Sequence, residues 1–189
     1  MQLRKHTVYL TGSQCSLRPM TEEDWPLLLR WNNDPDVLYF AEGEDVSGYA
    51  LADIQGIYRH VSQSAYCFII EQAGEPLGDC WLQEMNLERI RSAYPHQDCR
   101  RIDLAIGEKA FWGQGIGTEV IRLLCDFAFT QEGADCVWGC DIADYNPRSL
   151  RAFQRNGFQR VNELRQPPGA KAQLCYDLCL TAEEAGYTS

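Results

Sequence analysis

The chain has no excess of basic residues. Lys and Arg together number 17 against 27 Asp and Glu in 189 residues, a formal net charge of −10. A nucleic-acid binder needs clustered cations to displace the counterions of the phosphate backbone, so no nucleic-acid partner is expected. An acidic balance suits a small cationic partner, and it serves plain solubility equally well. The nine cysteines include no CxxC pair, their number is odd, and they sit inside apolar runs. Neither a disulfide framework nor a zinc site is expected. Cys136 and Cys140 share one face of a strand, as do Cys175 and Cys179, and all four read as small buried hydrophobes in a reducing cytoplasm. Residues 1–10 carry charges but no apolar stretch of the kind a signal peptide needs. No run is long enough to span a membrane, and there is no internal repeat or low-complexity tract. What is abundant is apolar side chain, 45% of the residues, enough for a sizeable core. The length suits one domain over residues 1–189, its core at about 14–181 with a short N-terminal strand and a C-terminal tail.

Local patterns divide the chain into short elements. Residues 6–10 and 14–19 read as a hairpin around Thr11-Gly12-Ser13. Thr21, followed by Glu22, Glu23 and Asp24, reads as a helix start with acidic residues in the first turn, and that helix ends before Asp34-Pro35. Residues 41–47 read as an acidic loop, and 49–61 as a helix with Leu51, Ile54, Ile57, Tyr58 and Val61 at helical spacing. Strands at 66–71 and 77–85 flank Ala73-Gly74-Glu75-Pro76, a hairpin turn. Residues 86–98 are polar and read as a long exposed loop, whereas 100–107 alternate charged and apolar residues like a half-buried strand. A helix at 118–130 places Val120, Ile121, Leu124, Phe127 and Ala128 on one side. A strand at 136–142, a helix at 146–156 closed by Gly157, and strands at 158–164 and 171–180 complete the order. Mixed order with several hairpins predicts an α/β or α+β fold on a largely antiparallel sheet.

Two segments carry chemistry. The first is Trp112-Gly113-Gln114-Gly115-Ile116-Gly117-Thr118-Glu119, between a strand and a helix. Alternating glycines tolerate positive φ and let a backbone approach a ligand, while the following helix N-terminus offers free N–H groups to an anion. No Lys-Ser/Thr pair follows the last glycine, so this is not a Walker A loop. Its tighter spacing and mid-chain position also differ from the dinucleotide fingerprint. Alone it reads equally well as a glycine-rich turn. The second segment, following the strand that ends at Asp141, contains Asn146, Ser149 and Asn156-Gly157-Phe158.

Taken together, these segments resemble the GNAT superfamily of acetyl-CoA-dependent N-acetyltransferases, over nearly the whole chain from Leu17-Arg18-Pro19 onward. The resemblance implies a mixed, mostly antiparallel central sheet, splayed between its fourth and fifth core strands at 100–107 and 136–142 and flanked by about four helices. It implies acetyl-CoA as cosubstrate, with no metal. Pantetheine would run beside Leu104, Ala105 and Ile106, and the pyrophosphate would rest on Gly113, Gln114, Gly115, Ile116, Gly117 and Thr118. Asn146 would contact pantetheine and cap the next helix, with Ser149 beside it. Trp112 stands where the family usually has Gln or Arg.

A closer similarity is to the aminoglycoside 6′-N-acetyltransferase branch. It rests on Phe40-Ala41-Glu42-Gly43-Glu44, residues 51–58, residues 74–78, Arg101-Ile102-Asp103-Leu104 and Asp141. Branches that acylate siderophore precursors or protein N-terminal amines share some of these residues. The branch implies Asp103 as base and substrate anchor, Asp141 as anchor for a second ammonium, and Glu84 as an aid to binding or deprotonation. Glu42 and Glu44 would close over a small cationic amine. Each has a plainer reading: Asp103 paired with Arg100 or Arg101, Asp141 as a strand-end turn residue, the glutamates solvated. Where the family usually has a tyrosine to protonate the thiolate, this chain has Phe153, which leaves water, Ser149 or Tyr145 for that task. Phe153 also leaves open a protein of another class, a non-catalytic acyl-CoA binder. A monomer or homodimer is expected.

Overall fold

The computed structural model describes residues 1–42 and 46–187. Its eight strands are β1 (Leu10–Thr11), β2 (Ser16–Pro19), β3 (Ala65–Gln72), β4 (Glu75–Glu84), β5 (Cys99–Ile106), β6 (Cys136–Ala143), β7 (Gln159–Arg165) and β8 (Leu174–Thr181). They form one sheet in the order β1-β2-β3-β4-β5-β6-β8-β7. Six α-helices flank it: α1 (Trp25–Trp31), α2 (Pro35–Ala41), α3 (Leu51–Val61), α4 (Glu88–Ala93), α5 (Ile116–Thr130) and α6 (Pro147–Arg155).

Local chemistry accounts for most of these boundaries. Thr21 and Asp24 form a reciprocal capping box ahead of α1. The β3–β4 turn puts Ala73 at φ 52° and Gly74 at φ 84°, the left-handed pair a tight hairpin needs. Asn146 caps α6, its side chain accepting from the Ser149 N–H, and Gly157 leaves that helix at φ 89°. The core has two faces. On one, Val120, Ile121, Leu124, Phe127 and Ala128 of α5 pack with Leu82 of β4 and Ile102 of β5. On the other, Leu28 and Trp31 of α1 and Ile54 and Tyr58 of α3 pack with Cys67 and Ile69 of β3. Eight of the nine cysteines are buried, and Cys175 is half-buried.

Four expectations need correction. Asp34-Pro35 ends α1 but also starts α2: the Asp34 side chain accepts from the N–H groups of Asp36 and Val37, and proline at the first helical position needs no partner. Residues 86–98 are not an irregular exposed loop. They contain α4, whose Ile90 is buried with Cys99 and Trp138 and flanked by Met85, Leu87 and Tyr94. The sheet therefore carries six helices rather than about four, and the opening strand is two residues long.

The feature that positions a site lies between β5 and β6. All other neighbouring strands run antiparallel, but β5 and β6 are parallel and pair only through Cys99–Arg101 and Cys136–Trp138. From Ile102 onward β5 keeps its partner β4 and parts from β6.

Candidate active site

Where β5 and β6 part, a cleft of about 310 Å³ opens. Its floor is Leu104, Ala105 and Ile106. β4 holds that floor tightly because Gly78 faces it, where a Cβ would come within 2.1 Å of the Ala105 carbonyl oxygen. The glycine loop forms one wall. Gly113 and Gly115 sit at φ 78° and 92°, and Gly115 is the left-handed residue from which α5 starts. Gly113, Gly115, Ile116, Gly117 and Thr118 line the cleft, so the free N–H groups of the α5 N-terminus border it. Gln114 does not line it; its side chain turns back to donate to the Ala110 carbonyl at 2.7 Å. Asn146 and Ser149 lie on the opposite wall, with Asn146 Oδ1 accepting from the Ser149 N–H at 3.2 Å.

That wall also brings Arg148, Arg151 and Arg155 to the cleft, cations at helical spacing facing the α5 N-terminus. The spacing is visible in the sequence, yet nothing there says which way it faces. The Arg148 guanidinium stacks between two rings, 4.3 Å from the Phe40 centroid and 4.2 Å from that of Trp112. Trp112 donates from Nε1 to the Ile106 carbonyl at 2.7 Å, which ties the loop to the floor. Helix α2 closes one side with Val37, Phe40 and Ala41. Its last carbonyls are satisfied from across the cleft: Asn146 Nδ2 donates to Phe40 O, Tyr145 Oη to Glu42 O, and Lys171 Nζ to Tyr39 O and Glu42 O. Glu42 thus stands at the end of α2 beside the β6–α6 turn, and Glu44 lies outside the described residues.

The loop is anchored from behind. Glu119, in the first turn of α5, accepts from Ser13 N, Ser13 Oγ, Gln14 N and Cys15 N at 2.7 to 2.8 Å. Burial alone would raise its pKa, but these donors outweigh burial and bring it down to about 2. Gly12 makes room, since a Cβ there would sit 2.6 Å from the carboxylate carbon.

Asp103 faces the other side of the sheet. Residues paired across two strands share a face, and Asp103 pairs with Trp81 while Glu84 pairs with Arg100. Glu84 therefore points to the opposite face from Asp103, and the structure does not bring the two carboxylates together. What accompanies Asp103 is Arg101, which grips both its oxygens at 2.8 and 2.9 Å. Asp141, expected at a strand end, lies within β6 at the irregularity between Gly139 and Ile142, with φ 53°, and accepts from Arg89 of α4 at 2.8 Å. The same arginine holds Asp177 of β8 through both oxygens at 2.9 Å. Asp177 is fully buried; burial opposes its charge, but Arg89, the Asp141 N–H and Asn162 hold its pKa below the ordinary value. Asp79, one strand over, is buried and accepts from the Tyr58 hydroxyl at 2.9 Å; burial pushes it up to about 7. Asp177 and Asp79 lie in no motif, and their burial and partners become apparent only in the fold. Phe153 is buried against Gly139 and in edge-to-face contact with Phe158, and it does not line the cleft. Among the described residues no group of three or more His, Cys, Asp or Glu side chains is placed to hold a metal ion.

A splayed sheet with a glycine loop at a helix N-terminus and cations opposite it defines a class of protein that holds a phosphorylated ligand in the gap. The acetyltransferase (GNAT) domain family matches residues 15–159, and the chain belongs to that family. It is an acetyl-CoA-dependent N-acetyltransferase. It is 26% identical over 173 residues to an aminoglycoside N(6')-acetyltransferase type 1 of Klebsiella pneumoniae, covering 84% of this chain and 81% of that protein. A protein of the same description from Serratia marcescens matches equally well. Among solved structures, AAC(6')-Ib in complex with ribostamycin and coenzyme A superposes with a TM-score of 0.77 at 22% identity, over 93% of this chain and 98% of that one. Spermidine N-acetyltransferase from Vibrio cholerae, in complex with CoA and spermine, gives 0.74 at 18% identity over 92% and 99%. At these identities the superpositions show the fold. No described helix is long and apolar enough to cross a membrane.

Proposed function

We propose that this enzyme acetylates the 6′-amino group of an aminoglycoside-type amino sugar, in a single domain and by direct transfer within a ternary complex. The observation that carries this reading is the position of Asp103. It stands one residue before Leu104, where β5 leaves β6, with its side chain on the face opposite α5. A donor in the splay and an amine on the acidic face would meet at that point. The curated relatives named for this activity support the choice of acceptor.

The cleft fits the donor. Gly113 and Gly115 hold backbone conformations that L side chains rarely adopt, and open space lies where a Gly113 side chain would be. In this reading the amides of residues 113–118 and the guanidiniums of Arg151 and Arg155 hold the pyrophosphate. Asn146 and the Leu104–Ile106 backbone hold the pantetheine arm. When bound, acetyl-CoA supplies an acetyl thioester, whose carbonyl carbon accepts the amine and whose sulfur departs as thiolate. Asp103 accepts the proton that the acceptor's ammonium must lose, directly or through water. Backbone N–H groups on the open edge of β5 polarise the carbonyl. Phe153 has no proton to donate, so protonation of the thiolate falls to Ser149, which lines the cleft, or to water. A cytoplasmic location accords with the free cysteines.

Release of free thiol from acetyl-CoA, followed over a panel of kanamycin, tobramycin and short peptides, tests this function. Turnover with the aminoglycosides supports it. Turnover confined to peptides assigns the acceptor to a protein N-terminus, and CoA binding without turnover of any amine leaves a binding protein.

A further inference from the structure

Asp79 is a buried carboxylate with no cation beside it among the described residues. The register of β4 against β5 places it. Trp81 pairs with Asp103 and Asp79 with Ala105, so Asp79, Trp81 and Asp103 share the face opposite α5. Asp79 thus lies one step beyond Asp103 along that face, opposite the middle residue of the cleft floor. Arg101 pairs with Gln83, one step to the other side, so Asp103 stands between Arg101 and Asp79.

Helices α1 and α3 close over this carboxylate. The Tyr58 hydroxyl donates to Asp79 at 2.9 Å and accepts from Asn32 Nδ2 at 3.3 Å. The Trp81 ring meets Tyr58 edge to face at 5.9 Å, and its Nε1 is buried with no described partner, so the surroundings are poorly solvated. The titratable groups that face Asp79 are Tyr58 from α3, Cys67 from β3 and Asp103 from β5, with Cys80 next to it in β4. From α1 comes the uncharged Asn32. Burial raises Tyr58 and both thiols, Cys67 to about 12, so all three stay neutral. Asp103 is therefore the charge that bears on Asp79, and the charge of each carboxylate favours a proton on the other. Burial is the main reason that Asp79 titrates at about 7; the Tyr58 hydrogen bond works against it and the Asp103 charge adds to it.

We propose that Asp79 is a positioning residue for proton transfer: its carboxylate stabilises, on neighbouring Asp103, the proton that the acceptor's ammonium gives up. This rests on the reading of Asp103 as the base. In that step an N–H bond of the ammonium breaks, its electron pair stays on nitrogen, and an O–H bond forms on Asp103. The freed amine attacks the thioester, and Asp103 passes the proton to water as the product leaves. Arg101 takes two of the roughly four acceptor sites of Asp103, which leaves room for this proton.

The test is kcat/KM for kanamycin, followed by thiol release from about pH 5.5 to about pH 9 in wild type, Asp79→Asn and Tyr58→Phe. Asparagine can still accept from Tyr58, so the first variant removes only the charge. It should match wild type at about pH 5.5, where the wild-type carboxyl is itself neutral. At about pH 8 it should fall about tenfold below wild type, without the inflection at about 7. Tyr58→Phe loses a donor that favours the charge, so its inflection should lie above the wild-type position. CoA affinity close to wild type shows that a variant has folded; should Asp79→Asn fail that check, Tyr58→Phe carries the test. An Asp79→Asn profile parallel to wild type overturns the inference, because a merely structural role acts alike at every pH. So does a Tyr58→Phe inflection at or below the wild-type position. Should wild type turn over no amine, the aminoglycoside reading fails instead, and carbon NMR of labelled aspartate decides the pair. Asp79 titrating lower in Asp103→Asn than in wild type supports the coupling, and an unchanged midpoint overturns it.

Discussion

Replacing Glu119 with Gln perturbs a group that makes four bonds and holds the cofactor loop from behind. The carboxylate takes Ser13 N and Oγ on one oxygen and Gln14 N and Cys15 N on the other, at 2.7 to 2.8 Å. A glutamine offers one acceptor end and one donor end, so two of these N–H or O–H groups meet an NH₂ instead of an oxygen. Losing such charge-assisted bonds costs about 3 kcal/mol in total. The same bonds expressed as a pKa shift agree in size: a folded pKa of about 2, against 4.5 for a free glutamate, corresponds to about 3 kcal/mol. The folded value is lowered, so this stabilisation is fully present above about pH 4.5 and is lost as pH falls toward 2. Urea unfolding should therefore place Glu119→Gln about 3 kcal/mol below wild type at pH 7, with Tm lower by about 6 to 12 °C. The gap should narrow as the buffer is taken from pH 5 toward pH 3. Glu119 points at the β1–β2 turn and does not line the cleft, so CoA affinity of the folded variant should change less than about threefold. A variant within about 1 kcal/mol of wild type at pH 7, or a gap independent of pH, would show that Glu119 does not hold the β1–β2 turn in this way.

Three further outcomes follow from the same geometry. Asp103→Asn should lower kcat/KM for the acceptor by about a hundredfold while CoA binding persists; near-wild-type kinetics would remove Asp103 as the base. Gly115→Val forces a β-branched residue to φ 92° at the start of α5, a strain of about 1 to 3 kcal/mol, and should weaken CoA at least about tenfold by fluorescence or calorimetric titration. Unchanged CoA affinity would place the phosphates elsewhere. Asp79→Asn should stabilise the protein, because burial raises the folded pKa of Asp79 to about 7 from 3.8, and the cost of ionising it grows as pH rises between those values. The gain should be absent near pH 3.5 and full above pH 7, and a variant equal to wild type throughout would contradict the burial argument.

The parts of this fold that local chemistry controls are readable along the chain. The Ala73-Gly74 turn, the Asn146 cap with Gly157 beyond, and the apolar side of α5 all follow from residues within a few positions of one another. The Asp34-Pro35 pair carries two signals, a stop for α1 and a start for α2, and only the stop is obvious until the side chain of Asp34 is seen capping. Helix α4 has six residues and no side-chain cap at its start, so it owes its existence to Ile90 packing on Cys99 and Trp138, contacts the sequence does not announce. The candidate site divides in the same way. Two residues apart on a strand, Arg101 and Asp103 necessarily share a face, so their pairing was legible as the plainer of two readings. The joining of Asp141 and Asp177 by Arg89 spans 52 and 88 residues and depends on the placement of α4, which was itself illegible. The distance from Glu84 to the site is a matter of register: three residues along β4 move a side chain to the other face.

Donor and acceptor that meet where β5 leaves β6 would pass the acetyl group straight from thioester to amine. Kanamycin incubated with the enzyme and acetyl-CoA, with the product located by NMR and the protein weighed by mass spectrometry, tests it most directly. One acetyl group on the 6′-nitrogen, one thiol released per product and unmodified protein are the expected result. Acetyl retained on the protein, or acetylation at a different nitrogen, would contradict it.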